Sequence, residues 1–172
     1  MAAHMLALDR HDVMDALTRQ FEATLIRMAV RCPHDFAGMR DRALLLLAAS
    51  GLGRAVLVGL DAEHIRFITT TVELWLDAAG AGEGAGAEQG RGFVVVIGRA
   101  AERTVCPVQA LADWLETSDT RFGPVFRKID RWGTLEHHRL GPDAIRRILA
   151  RHSLRRSPRA RSVRSPGRGG AR

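Results

Sequence analysis

Residues 38–65 read GMRDRALLLLAASGLGRAVLVGLDAEHI, and this stretch constrains the fold most. A charged cluster, Arg40-Asp41-Arg42, is followed by an unbroken apolar run over residues 43–49. Leu and Ala are strong helix formers, and with no polar interruption the run fits a helix buried on most of its sides. Ser50, Gly51 and Gly53 then loosen the chain. Glycine is a usual helix stop because it accepts the left-handed conformation that closes the last turn. A short second helix is expected over residues 55–60, with Arg54 at its mouth, and a strand begins near Ile65.

On either side of this core the pattern changes. Residues 1–8 read as loose. Asp9 or Asp12 can cap a helix running to about Arg31. Met14, Leu17, Phe21, Leu25 and Met28 recur at helical spacing and define its apolar face. Cys32-Pro33-His34-Asp35 breaks that helix, and Asp35 can cap the next. Segments 64–68 and 72–76 alternate and contain β-branched residues, and 93–97 is a short apolar run, so three antiparallel strands are expected. The Gly- and Ala-rich residues 78–92 read as a loop between the second and third. Pro107 sits well in the first turn of a helix, where its missing N–H leaves nothing unpaired. Val108, Leu111 and Leu115 make that helix's buried face. A last helix is expected over residues 141–150, with Ile145, Ile148 and Leu149 inward.

Composition matters here through its distribution. The formal net charge is +7, and Lys128 is the only lysine. Residues 151–172 carry eight arginines and no acid, so residues 1–150 sum to −1. The basic excess belongs to the tail, RHSLRRSPRARSVRSPGRGGAR. A segment of Arg, Ser, Gly and Pro buries too little apolar surface to offset its ordering entropy and reads as disordered. A GC-rich gene read out of frame gives this composition, so a truncated or frameshifted carboxyl terminus is the expectation. Cys32 and Cys106 lack metal or disulfide spacing and read as reduced core thiols. His34, His137 and His138 read as surface histidines, and no metal or other cofactor is expected. No window reaches the apolar length of a membrane span, and the acidic amino terminus lacks a signal peptide's apolar core. No membrane association and a cytoplasmic location are therefore expected.

Residues 40–47, RDRALLLL, resemble the corresponding helix of the catalytic domain in the tyrosine recombinases, or phage integrases. Gly51-Leu52 and residues 57–65 are similar to that family's next segments, G-L-R-x-S-E-L and V-x-L-x-x-E-D-I. Gly53 stands where the family's first catalytic arginine usually falls, with Arg54 one place later and Ala55-Val56 in place of Ser-Glu. Residues 106–115 resemble C-P-V-x-A-L-x-x-W-L, and residues 123–127 resemble G-P-L-F-R. His152-Ser153-Leu154-Arg155 is similar to H-x-x-R. The motifs run in the family's order over about residues 30–150.

The resemblance implies an α+β fold, mainly α: a helical bundle with a small three-stranded antiparallel sheet, here over residues 9–150. Too few residues precede Gly38 for the family's separate amino-terminal domain. The family's chemistry is attack by a tyrosine hydroxyl on a DNA phosphodiester, giving a covalent phosphotyrosine. Two arginines and a histidine neutralise the transition state, and a hairpin lysine protonates the leaving oxygen, so side chains supply the cations. Here the vestigial catalytic set is Arg54, His152 and Arg155. The chain has no tyrosine, and residues 66–105 hold no lysine, leaving Arg91 in the hairpin loop. A guanidinium is a poor acid for that role. Arg91, Arg127, Lys128 and Arg131 are the candidate DNA contacts.

Each candidate also has a structural reading. Arg54 reads equally as a solvated helix-end arginine, His152-Arg155 as a chance match in an arginine-rich tail, and Arg127–Arg131 as a solvated turn. The functional expectation is a catalytically inactive, DNA-binding remnant of a site-specific recombinase, with DNA as partner and no small-molecule ligand. A non-enzymatic protein holding nucleic-acid phosphates through its tail, and a fragment without function, stay open beside it.

Overall fold

The computed structural model of the chain describes residues 10–76 and 92–153. Helix α1 (Arg10–Val30) leads into α2 (Phe36–Ala49), and a glycine turn separates α2 from the short α3 (Arg54–Gly59). Strands β1 (Ile65–Phe67), β2 (Thr71–Leu76) and β3 (Phe93–Gly98) precede α4 (Pro107–Thr117). A hairpin of β4 (Arg127–Ile129) and β5 (Leu135–Arg139) follows, then α5 (Pro142–Ser153).

Helix α2 is the centre of the core. Residues 43–47 are each at most 1% exposed, which a helix achieves only when packed on every side. Helices α1 and α4 both pack against it. At its start the Asp35 carboxylate accepts the Gly38 N–H at 2.7 Å, the expected cap. Gly38 is itself required, because a Cβ there would fall 2.0 Å from the carbonyl oxygen of Pro33. At its end Gly51 takes φ +93°. Gly51 N–H donates to Ala48 O at 3.1 Å and Leu52 N–H to Leu47 O at 3.3 Å, a Schellman closure. The glycine stop read from the sequence is thus present as a hydrogen-bonded motif.

The first sheet runs β1-β2-β3, antiparallel throughout, with Glu73 opposite Val96 and Leu74 opposite Val95. Val72, Leu74 and Leu76 face the core, as alternation requires. Trp114 of α4 is fully buried, stacks near Phe36 with ring centroids 5.1 Å apart, and donates its indole N–H to Val125 O at 2.9 Å. Cys32 and Cys106 are both buried.

Three expectations need correction. The segment after Phe126 is a second two-stranded sheet, not a simple turn. Asp130 accepts the N–H groups of Trp132 and Thr134 at 2.8 Å each, and Gly133 takes φ +86°, so the Asp-x-x-Gly sequence builds a hairpin turn. The apolar face of α1 is only half used: Leu25 is buried, whereas Leu17 and Phe21 are 55% and 59% exposed. Periodicity alone does not say how far along a helix its partner extends. The third correction is the tail boundary, since residues 151–153 continue α5. The readings of residues 1–8, of the loop 78–91 with Arg91, and of 154–172 with Arg155 lie outside the described residues. No helix among the described residues is long and apolar enough to cross a membrane.

Candidate functional site

Arg54 opens α3 directly after Gly53, which is extended and gives no side-chain cap. The side chain is exposed and makes no hydrogen bond or ion pair among the described residues. The other end of this short helix is held from β5. Arg139 donates to Val58 O at 2.7 Å and to Asp61 Oδ1 at 2.6 Å. A cation on the last carbonyls of a helix satisfies acceptors that have no intrahelical partner. The Gly-Pro-Val segment adds to the same anchor, with Ala62 N–H donating to Gly123 O at 2.9 Å and Val125 N–H to Leu60 O at 3.0 Å. The Glu63 carboxylate accepts the Gly123 N–H at 2.8 Å. Its pKa is lowered, first by the hydrogen bond from its own backbone N–H and then by that from Gly123.

His152 has the opposite environment. It lies in the last turn of α5, is 3% exposed, and its Nε2 is 2.9 Å from Asp41 Oδ2. Asp41 is 1% exposed and gathers three cationic or donor groups. Arg40 donates to its Oδ1 through Nη2 at 2.7 Å and Nε at 3.1 Å, and Arg151 Nη2 stands 3.6 Å from Oδ2. Cys32 Sγ is 3.8 Å from either nitrogen of His152. Arg40 also donates to the carbonyl of Arg127 at 3.1 Å, so β4, α2 and α5 meet on this cluster. Buried charges are tolerated where they are paired and hydrogen-bonded, as here.

Arg54 and His152 stand on helices that pack against each other, α3 and α5, with no hydrogen bond or ion pair between their side chains among the described residues. The basic group at the hairpin is divided. Arg127 turns its guanidinium toward the end of α4, donating to Thr120 Oγ1 at 2.9 Å and Ser118 O at 3.3 Å. Lys128 and Arg131 are exposed, and Arg131 lies over the Trp132 ring, 4.7 Å from its centroid. His34, His137 and His138 are exposed. No group of three or more His, Cys, Asp or Glu side chains among the described residues could hold a metal.

Sequence reasoning missed the inward role of Arg40, Asp41 and Arg139. A signal existed for Asp41, which shares a helical face with Leu44 and Leu45. Arg139 offered none, since its partners lie 78 and 81 residues away.

The chain is 29% identical over 117 residues to the integrase/recombinase xerD homolog of Selenomonas ruminantium. That match covers 67% of this chain and 33% of the relative, so the chain spans about a third of the curated protein it matches. No family profile matches the chain. No solved structure matches it either.

Proposed function

We propose that this chain is a DNA-binding remnant of a tyrosine recombinase catalytic domain, related to site-specific recombination and by itself unable to cut DNA. The similarity to an integrase/recombinase supports the relationship, and the order of the motifs agrees with it. The observation that carries the second half is chemical: no tyrosine exists anywhere in the sequence. Without that hydroxyl the covalent phosphotyrosine cannot form. The position of the first catalytic arginine is taken by Gly53. Arg54 is the exposed cation nearest that position, whereas His152 serves the fold through Asp41.

Two measurements test the reading. On a nicked suicide duplex, no covalent adduct should accumulate; an adduct would remove the inactivity claim. In fluorescence anisotropy, duplex binding should be weak at physiological salt and fall steeply as salt rises, because neutralised phosphates release condensed counterions. Salt-insensitive, sequence-selective binding would be incompatible with a remnant that holds only backbone phosphates.

A further inference from the structure

A cavity of about 450 Å³ lies between the β4–β5 hairpin and α5. Its volume is in the range that takes a small ligand. Arg40 forms part of its wall, fixed in place by Asp41 and the Arg127 carbonyl. Lys128, Arg147 and Arg151 line it from two different elements. Lys128 and Arg147 are exposed and have no hydrogen bond or ion pair among the described residues.

The charges do not cancel. Asp41 pairs with Arg40 and also stands 3.6 Å from Arg151. Glu136 and Asp143 also line the cavity, but each stands 3.8 Å from another basic group, His138 and Arg146 respectively. Four cations, Arg40, Lys128, Arg147 and Arg151, against the three carboxylates Asp41, Glu136 and Asp143 leave a single positive surplus, and Lys128 and Arg147 carry no ion pair among the described residues. The donors sit on separate elements, so one ligand must offer several acceptor oxygens to reach them together. Phosphate does this, and guanidinium groups suit it because their paired N–H donors match its oxygens. The remaining wall is apolar, with Ile129, Leu140 and Ile148 among its residues.

We propose that this cavity binds a nucleotide-sized phosphate ligand. Lys128, Arg147 and Arg151 hold the phosphate, and the apolar wall takes the base or sugar. The ligand is either a free mononucleotide or a nucleotide at the end of a nucleic-acid strand. The second source rests on the DNA-binding reading above; the first does not. This site is separate from Arg54, and it departs from the sequence expectation that no small molecule binds.

The test titrates the full chain with adenosine monophosphate, with inorganic phosphate, and with a 5′-phosphorylated duplex. Amide NMR shifts and calorimetry provide the readouts. Adenosine monophosphate should give saturable shifts at residues 128–129 and 140–148, and should bind more tightly than inorganic phosphate. The K128A/R147A double variant, both changes at exposed positions, should keep the wild-type melting curve and bind at least about tenfold more weakly, as loss of two charge-assisted contacts implies. Shifts confined to residues beyond 153, or a double variant within twofold of wild type, would overturn the proposal. So would equal affinity for inorganic phosphate, which removes the role of the apolar wall. If the duplex binds wild type and double variant alike while the mononucleotide does not bind, the cavity proposal falls and the DNA-binding reading stands. If the mononucleotide binds and the duplex does not, the cavity stands with a free nucleotide and the DNA-binding reading falls.

Discussion

The mouth of α3 and the carboxyl end of α5 hold the two catalytic candidates among the described residues, and they differ in almost every physical respect. Arg54 is exposed and unpartnered among the described residues; His152 is buried and bonded to Asp41. Both matched or nearly matched a motif by letter. What separates them is the surroundings: Arg54 follows a glycine turn that leaves it in solvent, whereas His152 shares the buried face of α5 with Ile145 and Ile148. A residue type becomes a site only where it is presented to a ligand. The His152–Asp41 pair, with Arg40 and Arg151 beside it, satisfies polar groups that burial would otherwise leave unpaired.

The largest effect expected from this contrast comes from Asp41→Ala. It leaves Arg40 buried without its carboxylate, and removing one partner of a buried pair costs about 3–5 kcal/mol. Urea unfolding measures this; a loss below about 1 kcal/mol would mean that solvent reaches the cluster freely. His152→Ala should cost less, about 1–3 kcal/mol, as a lost buried hydrogen bond with its packing. Because the two side chains touch, the double variant should fall short of the sum. Strict additivity would show that the bond contributes nothing.

Arg54→Ala should sharpen the other side of the comparison. Melting should stay within about 0.5 kcal/mol of wild type, as for an exposed residue without partners. Duplex affinity at low salt should drop modestly, with a shallower salt dependence. A clear loss of stability would place Arg54 in the fold instead. The smallest expected effect is at Glu63, whose lowered pKa favours the folded state. That contribution is present above the unfolded-state pKa and disappears as pH falls through the folded-state pKa. Wild type and Glu63→Gln should therefore differ slightly near neutral pH and converge in acid. A difference that persists in acid would point to a cause other than the carboxylate charge.

Much of the frame was legible in the chain because it is written in local signals. The Leu-rich run, Asp35, the Gly51 stop, Pro107 and the alternation in β2 act over a few residues. The β4–β5 hairpin was missed although Asp130 and Gly133 encode its turn, since the strands themselves are short and carry charged residues that hide the pattern. The exposed half of α1 was misread because helical periodicity gives the direction of an apolar face but not the length of its partner.

The sequence by itself determined the central buried helix, its two ends and the three-stranded sheet, and it contains no tyrosine. Only the tertiary structure decided which charged residues turn inward. Asp41 meets His152 across 111 residues, and Arg139 meets Asp61 across 78. Such pairings are fixed by how the helices and hairpin pack around α2, and the energy of burying a charge depends on partners that no local pattern names.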